Sequence, residues 1–327
     1  MPVLPRLPLL AGVVLVGLLL GAVFFLSLPG VTLWQRVVQD AGHGPVFAGI
    51  AVVLLLMWEP TGGGAIRSAS QYRNAFLAAV ALGILTELLQ YSMPGRSVSA
   101  MDAMHDAAGA ALGLACVWFI ERWLAHRRDG TPTGDARTRV VVAIAVCAFT
   151  LLAWQPLQCA RAYAARDTSF PVLIPTSPLA DGLFARPHEA RVTYAQLPPP
   201  YRRPGDADSV RLEFKPGTTP GLQVLEPYPD WRNHDVLVLD VTNPSPRPAQ
   251  FMLRILDATH DWSNADRFNQ PVVIPGAART TIRISLEAIA TSPASRRMDM
   301  GAIANVMLFA LQPLDTGEFY VTRIGLE

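Results

Sequence analysis

The chain has 327 residues, 51% of them apolar and only 16% charged, against about 25% charged in ordinary soluble domains. That apolar content excludes a disordered chain. Twenty-seven basic side chains, among them a single lysine at Lys215, face 26 acidic ones for a net charge of +1, which excludes the basic excess of a nucleic-acid binder. Cys116, Cys147 and Cys159 make neither a CxxC pair nor a disulfide framework.

The apolar residues are clustered. The first 165 residues hold 19 charged side chains and the remaining 162 hold 34, so a chain long enough for about two domains divides into halves suited to different solvents. Five apolar runs, near 7–28, 44–59, 74–92, 102–124 and 139–157, approach or reach the length that crosses about 30 Å of hydrocarbon as a helix. The first is longer than a signal peptide's apolar core and has no clean small-x-small site after it, so it reads as an uncleaved anchor. The second is short, with Gly44 and Pro45 near its start, and proline is tolerated in a first helical turn.

Arginine placement sets the orientation. Arg122, Arg127, Arg128, Arg137 and Arg139 crowd the loop after the fourth run; Arg67 and Arg73 lie in the 60–73 loop and Arg6 near the N-terminus. These segments are expected on the cytoplasmic side. The 29–43 and 93–101 loops, with one arginine each (Arg36, Arg96), then face outward, and Trp154 suits an outer interfacial anchor. The expectation is a multi-pass protein of the inner (cytoplasmic) membrane, its partner the lipid bilayer, with the N-terminus cytoplasmic and the C-terminal domain extracytoplasmic.

After residue 165 the pattern changes. The stretch 166–207 is proline-rich, with Pro198, Pro199 and Pro200 in a row, and reads as a linker or irregular entry segment. From 208 to 327 short alternating runs take over: Leu237, Leu239, Val241 against Val236, Val238, Asp240; Phe251, Leu253, Ile255 against Met252, Arg254, Leu256; then Ile282 and Ile284, Val306–Phe309 and Phe319–Ile324, parted by Asn243-Pro244, Pro275-Gly276 and Pro216-Gly217 turns. Strands at this spacing without a long helix predict an all-β sandwich. The fold class is thus an α-helical transmembrane bundle of five spans, residues 1–165, followed by a β-sandwich or jelly roll.

Polar residues are most costly inside the membrane and so carry the most information there. Glu87 and Gln90 share one helix face near the outer end of the third run. Asp102, His105 and Asp106 share a face at the start of the fourth, Asp40 and His43 enter the second from outside, and Arg96 follows the Met93-Pro94-Gly95 turn. All eight fall at one depth, just below the outer surface, and form a candidate binding cluster. Each also has a structural reading: Asp40 and Asp102 suit N-caps, and Arg96 can neutralise Glu87. Gly109-x-x-x-Gly113 reads as close helix packing.

Asp40-x-x-His43-x-x-x-Phe47, Glu87-x-x-Gln90-x-x-x-Pro94-Gly95-Arg96, Asp102 and Gly109-x-x-x-Gly113 together resemble the VanZ-like membrane proteins, over about residues 35–125. Asp106 stands where that family usually has Asn, and Ala41 where a Lys is common. The resemblance implies a site and, through the family's name, a link to glycopeptide-antibiotic resistance; it implies no reaction.

As chemistry, Glu87 and Asp102 suit a general base and an electrostatic partner, His43 a proton shuttle, and Arg96 an anchor for phosphate or carboxylate. The carboxylates with His43 and His105 are also metal-competent, but no tight motif such as HExxH is present, so neither a metal nor any other cofactor is assigned. GxSxG, P-loop and Rossmann fingerprints are absent.

In the C-terminal half, Pro229–Asp235, Leu253–Asp257, His260-Asp261-Trp262, Asp266–Asn269 and the closing Phe319–Leu326 run resemble carbohydrate-binding-module-like jelly rolls, over about residues 208–327. Tyr228, Trp231, His234, Trp262, Arg267 and Asn269 are the glycan candidates, because an indole stacks on a sugar's apolar face while neighbouring polar groups bond its hydroxyls. The structural alternative has Trp231 and Trp262 sealing the core and Arg267 pairing with Asp261 or Asp266. Asp257, Asp261 and Asp266 are weak calcium candidates, without an EF-hand pattern. Two functional readings follow: a membrane scaffold whose outer domain binds an envelope glycan or partner, and a membrane enzyme acting on a lipid-linked or antibiotic-related substrate through His43, Glu87, Arg96 and Asp102. Transport is weaker, because no inverted repeat is visible.

Overall fold

The computed structural model describes residues 4, 6–25, 32–60, 66–90, 100–130, 136–174, 183–314 and 317–327. It divides into two units, Met1–Cys159 and Ala160–Glu327.

The first unit is helical: α1 (Leu9–Phe25), α2 (Leu33–Leu56), α3 (Ala69–Gln90), α4 (Ala100–Asp129) and α5, which runs Ala136–Ser169 across the division. The last four are long and apolar enough to cross a membrane; α1, at 17 residues, is shorter. Two boundaries differ from the apolar runs. Helix α2 begins 11 residues before 44, at a capping box in which Thr32 and Gln35 each accept from the other's backbone N–H. Its first turns carry Gln35, Arg36, Gln39 and Asp40, polar residues that hide a helix from any apolar-run criterion, and Pro45 lies inside the helix. Helix α5 continues 12 residues past 157 through alanines at 160, 162, 164 and 165, the strongest helix formers.

Small residues let α2 and α4 meet backbone to backbone. A Cβ on Gly109 would lie 2.1 Å from the Gly44 carbonyl oxygen, and one on Gly113 2.7 Å from that of Ala48. The Gly109-x-x-x-Gly113 stripe is therefore a helix-packing surface, the usual device where no hydrophobic effect drives helices together. Phe47, Ile50, Ala51, Leu55, Ala75, Ala79, Ala110, Leu114 and Val117 fill the interior around it.

The second unit is a β-sandwich of two five-stranded antiparallel sheets. Its strands are β1 (Ala185–His188), β2 (Arg191–Ala195), β3 (Ser209–Glu213), β4 (Gly221–Leu225), β5 (Val236–Asn243), β6 (Ala249–Asp257), β7 (Phe268–Ile274), β8 (Ala278–Ser285), β9 (Ile303–Ala310) and β10 (Glu318–Leu326), with a one-turn helix α6 (Leu286–Ala290). One sheet has the order β2-β3-β10-β5-β8 and the other β1-β4-β9-β6-β7. The 166–207 segment, expected as a linker or irregular entry segment, contributes β1 and β2 to the two sheets. Both are short edge strands with polar outer residues, Arg186 and His188 or Arg191 and Thr193, so no alternating apolar run announces them. Inward-facing Leu237, Leu239, Val241, Phe251, Leu253, Ile255, Phe319 and Val321 close the core, with the rings of Phe251 and Phe319 4.8 Å apart across the two sheets.

Candidate functional site

Helices α2, α3 and α4 bring ligand-type side chains to one end of the helical unit. His43 Nδ1 and Asp106 Oδ1 are 3.0 Å apart, and a donor atom from each of His43, Glu87 and Asp106 lies within 4.8 Å of the others. Glu87 is 3% exposed and Asp106 1%. Gly83, one turn before Glu87 on α3, makes room for Asp106: a Cβ there would stand 2.8 Å from Asp106 Oδ2. Around this centre, Asp102 acts electrostatically on His43, and Asp102, His105 and Arg36 on Asp40. His105 and Gln90 are buried; neither ring nitrogen of His105 nor Gln90 Nε2 has a hydrogen-bond partner among the described residues. Asp40 and His43 lie within α2, two turns and more from its start, rather than at its mouth. Arg96 and the Met93-Pro94-Gly95 turn lie outside the described residues.

The opposite end of α3 and α4 holds a buried ion pair that sequence reasoning missed. Arg67 and Glu121, 4% and 1% exposed, are joined side chain to side chain, and the Arg67 amide and Tyr72 hydroxyl each donate to Glu121 Oε2 at 3.0 Å. A cleft of about 930 Å³ opens beside them, walled by Phe76, Leu114, Trp118 and Ile144. The available signal was Glu121 inside an apolar stretch; the arginine count absorbed Arg67 into a loop.

In the sandwich the six glycan candidates separate. Trp231 is wholly buried, its Nε1–H donating to the Tyr228 carbonyl at 2.8 Å, so it seals the core and offers no face to a ligand. Tyr228 stacks on Phe170 at 4.1 Å and His234 meets the same ring edge-on. Trp262 is 74% exposed, at φ +68°, with His260 against its ring. It rides on the β6–β7 loop. Arg296 ties that loop's base down by bonding both Asp257 and Asp266, at 2.5 Å each, so two of the three calcium candidates form an arginine-bridged brace, while Asp261 accepts from the Ser263 amide at 2.7 Å. Burial raises the Asp257 carboxyl, but the bonds from Arg296 and the Asp299 amide outweigh it, and it is held below the ordinary carboxylate range; Arg296 holds Asp266 low as well.

Arg267 and Asn269 belong to a larger arrangement that only strand pairing reveals. Register places Arg186, Gln223, Met307, Arg254 and Asn269 side by side across all five strands of the β1-β4-β9-β6-β7 sheet, on its outer face, with Gly221, Phe309, Met252 and Pro271 in the next row. Arg254 lies over the Phe309 ring at 4.9 Å and donates to Asn269 Oδ1 at 2.8 Å. Burial and the neighbouring Arg267 both lower the Arg254 pKa. Arg267 Nε is buried without a hydrogen-bond partner, and among the described residues no carboxylate pairs with either arginine. The other sheet's outer face is the reverse: Arg211 is held between Glu213 and Glu318, and Arg279 between Asp206 and Asp240, so its charges are already matched.

No protein-family model matches the chain, and no curated protein matches it. Among solved structures, the sandwich resembles an exo-beta-agarase (15% identity, TM-score 0.34, 44% of this chain and 22% of that one). It also resembles a family 11 carbohydrate-binding module from Clostridium thermocellum, solved with a beta-1,3-1,4-mixed-linked tetrasaccharide (15%, 0.32, 43% and 86%), and a family 30 carbohydrate-binding module of a cellulosomal cellulase of the same organism (8%, 0.31, 44% and 90%). The chain thus spans about a fifth of the agarase.

Proposed function

We propose that this is a multi-pass protein of the cell envelope whose extracytoplasmic sandwich binds a glycan on the outer face of the β1-β4-β9-β6-β7 sheet. The observation that carries this reading is the row Arg186, Gln223, Met307, Arg254 and Asn269 beside Phe309. Amide and guanidinium donors alternate there with an apolar ring and thioethers, the mixture that sugar hydroxyls and sugar faces require. Arg254 and Arg267 repel each other without an acidic partner, so the favoured ligand carries an anionic group such as a uronate or sulfate, which an arginine fork accepts bidentately. Trp262, exposed in a backbone conformation that costs an L-residue about 1–2 kcal/mol, adds a stacking surface on the adjoining loop.

The test is a glycan array probed with the full-length protein in detergent micelles. Acidic saccharides should bind, and Arg254→Ala should weaken them about 10- to 100-fold, as loss of a charged hydrogen bond of about 1.5–3 kcal/mol requires. Absence of binding to any glycan, or binding indifferent to Arg254, Arg267 and Trp262 together, would end the proposal. The orientation rests on the arginine bias of the loops, and protease protection of the sandwich in sealed vesicles reports it.

A second reading concerns the helical unit, taken as VanZ-like on its Asp40-x-x-His43 and Glu87-x-x-Gln90 motifs. His43 paired with Asp106 beside Glu87 supports proton transfer on a lipid-linked or antibiotic-related substrate at the outer leaflet, with Asp102 as electrostatic partner and Arg96 as anion anchor. Glu87→Gln and Asp102→Asn should then abolish the envelope-antibiotic phenotype of a complemented deletion strain at unchanged protein abundance. Wild-type behaviour of both would remove the catalytic reading.

A further inference from the structure

The end of α2, α3 and α4 collects carboxylates. Asp40, Glu87, Asp102 and Asp106 gather within helices long and apolar enough to cross a membrane, where an uncompensated buried charge costs several kcal/mol. Arg36 acts on Asp40 there, and among the described residues Asp106 is matched through one oxygen alone. Its Oδ1 meets His43, while its Oδ2, buried against Gly83, has no hydrogen-bond partner among the described residues. His105, 1% exposed and close enough to act on Asp106, likewise finds no partner for either ring nitrogen among the described residues. Buried polar atoms without partners are rare and call for an explanation.

We propose that His43, Glu87 and Asp106 form a binding site for a divalent transition-metal ion, Zn²⁺ in class. Their donor atoms all lie within 4.8 Å of one another. Ligands around tetrahedral zinc, at bonds of about 2.0–2.2 Å, stand about 3.4 Å apart, so side-chain rotation alone closes the set. One imidazole and two carboxylates suit zinc, whereas calcium takes 6–8 oxygens and magnesium a near-ideal octahedron. Two carboxylates in the set match the two positive charges of the ion. Three protein ligands also leave a fourth position open, the arrangement of zinc sites that accept an exogenous ligand. Asp102 and His105 stand outside the three as the polar residues that orient ligands and tune the ion.

The inference is independent of the glycan reading, and its test does not use activity. Full-length protein in detergent micelles is stripped with chelator, reloaded with Zn²⁺ and passed through a desalting column. Elemental analysis should then find about one zinc per chain, Zn²⁺ should raise the Tm, and Co²⁺ should give the visible d–d bands of a low-coordinate His/carboxylate site. Asp106→Asn and His43→Gln should each weaken zinc at least about tenfold, as measured by competition with a chromophoric chelator. Ser169→Ala, outside the cluster, should not. If a variant fails to fold, Glu87→Gln, the most nearly isosteric change, carries the same expectation. No retained zinc together with no Tm shift overturns the proposal. So does zinc retained at wild-type affinity by a folded His43→Gln/Glu87→Gln/Asp106→Asn triple variant.

Discussion

Gly109→Ala adds one methyl group where α4 crosses α2, and the structure fixes what that methyl does. The new carbon would sit 2.1 Å from the Gly44 carbonyl oxygen and 2.7 Å from the Gly44 Cα. A carbon–oxygen contact needs about 3.3 Å, so the helices must part by roughly 1.2 Å at this point. His43 precedes Gly44, and Asp106 lies three residues before Gly109. The same separation therefore stretches their 3.0 Å contact to roughly 4 Å, past hydrogen-bonding range. Overpacking costs about 1–3 kcal/mol and stranding a buried acceptor about as much again, which together give a loss of about 2–6 kcal/mol. Reversible unfolding in mixed micelles, followed by circular dichroism, measures it, and the ¹⁵N shifts of the His43 ring report the broken contact. Gly17→Ala and Gly21→Ala, where an added Cβ meets nothing within 4 Å, are the controls and should gain up to about 1 kcal/mol from helix propensity. If Gly109→Ala unfolds within about 0.5 kcal/mol of the wild type and His43 keeps its shifts, close α2–α4 packing does not hold the cluster.

Three further outcomes follow from buried groups. Arg296→Met should destabilise the sandwich by about 3 kcal/mol at neutral pH, the low end for a broken buried pair because Arg296 is partly exposed. Folded Asp257 and Asp266 sit below the ordinary carboxylate pKa, so the stability they lend is complete above about pH 4 and fades as pH falls through their lowered values; the gap between variant and wild type in pulse proteolysis should close along that descent. Glu121→Gln removes the carboxylate joined to buried Arg67 and should cost about 3–5 kcal/mol in micelle unfolding, whereas Arg67→Met/Glu121→Leu should recover most of it. Trp231→Ala empties a wholly buried site and should cost about 3–5 kcal/mol, visible as faster hydrogen exchange in β5 and β10.

The two-part architecture was legible because each half repeats one period long enough to read: apolar runs in the first, alternation in the second. The pairing of polar residues within one helix, Glu87 with Gln90 and Asp102 with His105 and Asp106, was legible for the same reason, since residues at i, i+3 and i+4 on a helix share a face whatever the tertiary fold. The start of α2 was not, because its first turns are polar and its cap is a single threonine. Trp231 and Trp262 look alike in sequence, each beside an aspartate; only packing makes one a core residue and the other a surface one. The sheet-face row was out of reach, because Arg186, Gln223, Met307, Arg254 and Asn269 become neighbours through strand pairing, and register between distant strands has no local signature.

The ion pair at one end of α3 and α4 and the carboxylate–histidine group at the other act together as a latch at both ends of a rod. A ratchet of α4 along α3 by one turn, about 5.4 Å, would pull Glu121 off Arg67 and Asp106 off the pocket beside Gly83 in the same stroke. A full-turn shift of this pair is therefore opposed at both ends at once, each end holding the register that the other sets.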